Sequence, residues 1–227
     1  MSALQELRIS KAVAEAWQDT CLGCLEYDCT VQQANDAVWQ LYRDEVEGRL
    51  KQALAETELS AMPNLGESRK ACKAFGMNPG RYRISSEALY RRMRQDKELY
   101  RINTVVDVNN IISVETGLSL GSYDLDKISG GIELRIGKAG ECYAGIGKGS
   151  IPLCGMPLLA DAQGPFGSPV SDSPRACISE KTRHVLTVIY GFSGRDAAEA
   201  ALKLAAERFT SLAGAEALSS RLVQASN

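Results

Sequence analysis

The chain has a single histidine, His184, and that scarcity removes much chemistry at once. A Ser-His-Asp triad would have to be built on this one residue. It stands in KTRHVLTVIY at the entrance to an apolar strand, the setting of an edge-of-core histidine. A zinc site is equally short of ligands. Cys21 and Cys24 in CLGCLEYDC have zinc-like spacing, but there is no second CxxC and the histidine is distant. The segment therefore reads as a buried strand carrying small thiols, and neither metal nor other cofactor is expected. The seven cysteines are odd in number, scattered and not preceded by an export signal, which is the usage of reduced thiols. No window approaches the ~20 apolar residues of a membrane span. The opening MSALQELRISKAVAEAW is charged throughout and lacks the apolar run of a signal peptide. A cytoplasmic protein is the expectation. The phosphate-loop composition of Gly145-Ile-Gly-Lys-Gly149 also falls short. A Walker A motif needs Ser or Thr after the lysine, and Gly149 follows it here. A hairpin turn is the better reading.

What the chain does have is an uneven charge. Its formal net charge is −2. Between Arg69 and Arg101, however, ten basic residues face only three acidic ones (Glu87, Asp96, Glu98). The remainder carries 16 basic and 25 acidic residues, so a positive face on an acidic body is expected. Arg91, Arg92 and Arg94 lie within one helical turn and are the candidate contacts to a polyanion such as RNA. A solvated helix face is the alternative.

Composition, 44% hydrophobic and 24% charged, is that of a globular protein with one sizeable core. Ile9 to Thr30 favours strands. Apolar residues at Ala34, Val38, Leu41, Tyr42, Val46, Leu50 and Leu54 mark an amphipathic helix over Gln32 to Glu58. Met62-Pro63-Asn64 breaks it, and a short helix follows over Glu67 to Phe75. Ser85 is the expected N-cap of the arginine helix, which runs to about Lys97. Another helix spans Thr104 to Thr116 and stops at Gly117. Beyond Gly130, glycine and proline punctuate short strands (GGIELRI, ECYAGI, MPLLAD, VLTVIYGF). A closing helix covers Gly194 to Leu212, and a polar tail follows. Strands at both ends of the chain around a helical middle give a mixed α+β fold. In this reading 1–80 packs N-terminal strands and helices on a core at 81–215, continuous with it, and 216–227 is the tail.

One long loop stands out, CGMPLLADAQGPFGSPVSDSPR from Cys154 to Arg175. Five of the seven prolines fall in or beside it. Stiffened in this way, it is a candidate binding loop presenting Asp161, Ser173 and the run around Asp172 and Arg175. A rigid surface crossover is the alternative.

The stretch from Arg81 to Phe192 resembles the tRNA-editing domain of the phenylalanyl-tRNA synthetase beta subunit. The resemblance is strongest from Arg101 to Glu141: Asp107-Val-Asn-Asn110, Ser113, Glu115 to Gly117, Tyr123-Asp124, Lys127-Ile128, Gly130 to Ile132, Arg135 and Gly140-Glu141. Ala160-Asp161, Thr182 and Val185-Leu186 continue it. The resemblance implies an α+β fold with a barrel-like β core, a freestanding relative of that domain, and tRNA or aminoacyl-tRNA as partner. It also implies ester hydrolysis of a mischarged tRNA, which needs the 3′ end positioned, a water oriented and the oxyanion stabilised. Asn109, Asn110, Gly121, Tyr123, Asp124, Asp161 and Ser173 are the candidate substrate-binding positions on that frame, and Asp172 and Arg175, in a stretch where the chain departs from the family, are the candidate catalytic residues. Two departures matter. Gly121 stands where the family carries a histidine, and no acidic residue stands near Pro174 to recognise a tyrosine hydroxyl. A deacylase acting in trans and a non-catalytic module binding RNA or an amino-acid-like molecule are the two functional expectations.

Overall fold

The computed structural model describes residues 5–33 and 35–225. Its architecture is mixed α+β, as expected. One four-stranded sheet has the order β1-β4-β7-β8, from Leu7–Ile9, Ile132–Ile136, Pro157–Asp161 and Gly164–Gly167. A second has the order β10-β2-β9-β3, from Glu216–Gln224, Cys21–Asp28, His184–Gly191 and Ser119–Asp124. β5 (Cys142–Ala144) and β6 (Ser150–Pro152) form a hairpin whose turn is Gly145 to Gly149, with Lys148 N–H donating to the Gly145 carbonyl at 3.0 Å.

β2 and β9 are central in the order and buried along nearly their whole length on both faces, which their nearly continuous apolar runs suit. Cys21 and Cys24 are buried within β2, and the cysteines are unpaired among the described residues. His184 opens β9 opposite Asp28 of β2, and its Nδ1 lies 2.6 Å from the Asp28 carboxylate. That exposed pair raises the affinity of the imidazole for its proton.

Several local expectations need correction. The Ile9 to Thr30 region is interrupted by helix α1 (Lys11–Ala16), started by Ser10, whose Oγ accepts from Val13 N–H. The helix expected over Gln32 to Glu58 begins at Asp36, because Asn35 Oδ1 accepts from Ala37 N–H at 3.0 Å and caps it. It runs as α2 (Asp36–Leu41), a π-helical turn (Tyr42–Glu47) and α3 (Gly48–Glu56). Ala34, one of its periodic positions, lies outside the described residues. The residues from Glu216, read as a tail, form edge strand β10 against β2. Ser226 and Asn227, at the end of that tail, lie outside the described residues.

α4 (Leu65–Ala74) precedes the arginine helix α5, which spans Ser85–Met93 and is not capped by Ser85. Its first N–H instead donates to the Pro169 carbonyl at 2.6 Å, so the proline-rich loop is docked on the start of α5. The helix stops early because Asp96 turns into the left-handed region (φ 53°) and Lys97 N–H returns to the Arg92 carbonyl. α6 (Thr104–Thr116) has the expected bounds. Asn103 caps its start, and Gly117 closes it at φ 75°, where a Cβ would lie 1.9 Å from the Pro63 carbonyl oxygen. α7 (Arg195–Ala213) ends at Gly214 and packs against α6 and β2. No helix among the described residues is long and apolar enough to cross a membrane.

Candidate functional site

The loop expected to bind is partly sheet: β7 and β8 form a hairpin, Ser168 to Ser173 is irregular, and Pro174–Ala176 is a 3₁₀ turn. Ser168 organises this remainder. Its Oγ accepts from Val170 and Ser171 N–H, and it receives the Tyr143 hydroxyl at 3.0 Å. Its own N–H donates to Asp172 Oδ1 at 3.1 Å. The same oxygen accepts the Tyr123 hydroxyl at 2.9 Å, and that hydroxyl lies 3.0 Å from the Tyr190 hydroxyl. Burial pushes the Asp172 carboxyl up to about 6, against hydrogen bonds from Ser168 and Tyr123 that favour its charged form. Burial likewise keeps the Tyr123 and Tyr190 phenols protonated far above their ordinary range.

Tyr123 also explains Gly121. Residues two apart on a strand share a face, and the Tyr123 ring folds over the bare backbone of Gly121. A Cβ on Gly121 would lie 2.1 Å from Tyr123 Oη, and one on Gly167 would lie 2.2 Å from it. The phenol is wedged between two glycines. The space that a side chain at 121 would use is therefore filled by the protein itself.

Arg175 does not join Asp172. Its guanidinium makes a two-bond pair with Asp161, at 2.8 and 3.1 Å, and also donates to the carbonyls of Gly164 and Lys127. Asp161 has no exposed side-chain surface and accepts further bonds from Ser129 and Gln163 N–H. Burial works to raise its carboxyl, but Arg175 and the two N–H groups prevail and hold it below its ordinary range. Arg175 thus ties the β7–β8 hairpin to the turn at Leu125–Lys127, and no hydrogen bond or ion pair joins it to Asp172 among the described residues.

Other expected positions are also occupied by the fold. Asp124 accepts from Thr182 Oγ1 at 2.8 Å and pairs with Lys127 at 3.1 Å. Asn109 holds α6 to β3, accepting from Ser122 Oγ at 3.0 Å. Ser173 Oγ accepts from Arg175 N–H and starts a short 3₁₀ turn. Asn110, beside Asn109, is half-buried.

The arginine cluster divides in the same way. Arg94 turns back and donates to the carbonyls of Leu54 and Thr57, satisfying the C-terminal end of α3, so it is not part of an open cationic face. Arg91 pairs at 2.9 Å with Glu87, a buried carboxylate that Arg69 also reaches at 2.6 Å. Arg92 donates to the Glu98 carbonyl and lies over the Tyr100 ring. Two clefts open alongside. One, of about 320 Å³, is lined by Arg83, Arg91, Arg92, Lys97 and Tyr100. The other, of about 470 Å³, is lined by Arg81, Arg83, Lys148 and Val170. Arg83 and Ala88 stand in the walls of both, so the two clefts adjoin along one cationic track. Arg81, Arg83, Arg92, Lys97 and Lys148 have no carboxylate partner among the described residues. The second cleft reaches the Ser168–Asp172 loop: Val170 is in its wall, and Ile146 N–H, two residues before Lys148, donates to the Asp172 carbonyl at 2.9 Å. Sequence reasoning missed Arg81, Arg83 and Lys148 as lining residues. The first two were visible in the basic cluster, but Lys148 arrives through the β5–β6 turn.

Residues 67–223 match the family described as the B3/4 domain. The chain belongs to the B3/4 domain family. Two curated relatives are phenylalanine–tRNA ligase beta subunits. That of Chromobacterium violaceum is 32% identical over 93 residues, 38% of this chain and 12% of that protein. That of Thiobacillus denitrificans is 38% identical over 61 residues, 26% of this chain and 8% of that protein. The matched stretch is thus about a tenth of the relatives' length. Among solved structures, an N-terminal fragment of the phenylalanyl-tRNA synthetase beta subunit from Pyrococcus horikoshii superposes with a TM-score of 0.51 at 13% identity, covering 99% of this chain and 52% of that one. At that identity the likeness concerns the fold alone. It extends the comparison to the elements before residue 67, including β2, without which the second sheet of this B3/4 domain would lack a central strand.

Proposed function

We propose that this B3/4 domain binds tRNA along the cationic track, with the aminoacyl end directed toward the Ser168–Asp172 loop. The observation that carries the reading is a pair of adjoining clefts lined by Arg81, Arg83, Arg92, Lys97 and Lys148, none with a carboxylate partner among the described residues, the second reaching that loop. Such a groove neutralises consecutive phosphates, and phosphate neutralisation dominates affinity for nucleic acid. The relatives are subunits of a tRNA ligase, which agrees in kind. Kinship with tRNA ligase subunits supports a cytoplasmic site of action. The test is tRNA binding by the whole chain. Arg83→Gln combined with Lys148→Gln weakens it at least tenfold, whereas unchanged affinity would dismiss the track.

A second reading, hydrolysis of a mischarged tRNA in trans, is favoured by one observation: burial raises the Asp172 carboxyl to about 6, so at neutral pH it is largely ionised yet more basic than an ordinary carboxylate, as suits a general base. The Asp172 carboxylate takes a proton from water as that water's oxygen bonds to the ester carbonyl carbon, and the bond from that carbon to the tRNA 3′ oxygen then breaks as Asp172 returns the proton to the leaving oxygen. Because Tyr123 fills the space over Gly121, the phenol must swing aside for this step. A deacylation screen across mischarged tRNAs decides the point. Turnover abolished by Asp172→Asn supports it, and absence of turnover leaves tRNA binding as the function.

A further inference from the structure

We infer that Tyr100, with Arg92 laid across it, is a stacking platform for one unpaired base of the RNA held in the adjoining cleft. The inference rests on the RNA-binding reading above and specifies which part of the RNA this cleft takes. Tyr100 is 51% exposed, one of few large apolar side chains left in solvent among the described residues. It is nevertheless held in place. Leu99, immediately before it, is 3% exposed and anchored in the core. The Arg92 guanidinium donates to the Glu98 carbonyl and lies 3.9 Å from the Tyr100 ring centroid, so residues 98–100 are clamped onto the end of α5. The left-handed turn at Asp96 and the Lys97 to Arg92 backbone bond fix the approach of the chain. An ordered aromatic ring that the fold holds out in water contributes little to the core; its π-face and the delocalised cation upon it suit a planar ligand.

The surroundings specify that ligand. Arg83 and Lys97 face the same cleft and have no carboxylate partner among the described residues, so the ligand is anionic next to its planar part. The cleft volume, about 320 Å³, suits a single nucleotide rather than a duplex. A paired base is already stacked on both neighbours, whereas an unpaired one is free to lie on an aromatic or guanidinium plane. A single-stranded or splayed-out nucleotide of RNA meets all these conditions.

The test measures affinity of the whole chain for a short single-stranded RNA, an abasic strand of equal length and a fully paired hairpin, by fluorescence anisotropy. Tyr100→Leu weakens single-strand binding roughly tenfold, Tyr100→Phe restores it, and neither alters the salt dependence, since no phosphate contact is lost. The abasic strand binds wild type and Tyr100→Leu equally. If Tyr100→Leu binds the single strand as well as wild type does, while Arg83→Gln with Lys97→Gln weakens every RNA, the platform is refuted and the phosphate track stands. If wild type binds none of the three, the RNA reading fails and the platform with it.

Discussion

Replacing Asp172 by asparagine isolates the energetic consequence of burying this carboxyl. Its affinity for a proton corresponds to about 6 in the folded protein against the ordinary 3.8. The folded state therefore holds this proton more tightly than the unfolded chain does. The stability involved is fully present below about pH 3.8 and is lost as pH rises through about 6. The gap is worth about 3 kcal/mol at 1.36 kcal/mol per tenfold, reduced to about 2 by the solvent that reaches residue 172. The amide introduced by Asp172→Asn keeps an oxygen to accept from Tyr123 and Ser168 while carrying no charge. At pH 8 the Asp172→Asn protein is thus more stable by about 2 kcal/mol, or roughly 4–8 °C in Tm for a chain of this size. Near pH 4 the advantage shrinks to a fraction of that. Paired thermal unfolding curves followed by circular dichroism at the two pH values measure the difference, and pH effects common to other groups cancel between the proteins. An identical Tm offset at both pH values, or a variant less stable at pH 8, would refute the burial argument.

Gly121→Ala forces a methyl against the Tyr123 phenol and should cost about 1–3 kcal/mol, read as a lower denaturation midpoint in urea with an unchanged slope. A neutral result would mean that the ring is free to move and the space over Gly121 is available to a ligand. Arg175→Met strands the enclosed Asp161 carboxylate and should cost about 3 kcal/mol of stability while leaving tRNA affinity unchanged. Lost affinity with unchanged stability would return Arg175 to the binding site.

The elements legible in the sequence are those whose signals are local. α6 could be bounded because Gly117 is the residue type that a left-handed helix end selects, and β9 because a central strand is apolar on both faces. β10 escaped because an edge strand of Ser, Arg and Gln has no such run; only its pairing with β2 makes it a strand. α5 was misjudged at both ends, since a carbonyl from Pro169 does the work assigned to the Ser85 side chain. For the site, Asp172 was identifiable from its place in a proline-stiffened loop. Its companions Tyr143 and Tyr190 come from strands that only the sheet order brings near. Nor does anything around Arg175 in the chain reveal that Asp161, across a hairpin, will claim its guanidinium. Arg94 shows the same limit: three arginines in one turn point in different directions, and one of them caps another helix.

The salt dependence of tRNA binding tests the central claim most directly. For wild type, the logarithm of the association constant should fall linearly with the logarithm of salt concentration. In the Arg81→Gln, Arg83→Gln, Lys148→Gln protein the slope should be shallower by about 2–3, roughly 0.7–0.9 for each phosphate contact removed. Superimposable lines for the two proteins would contradict the account.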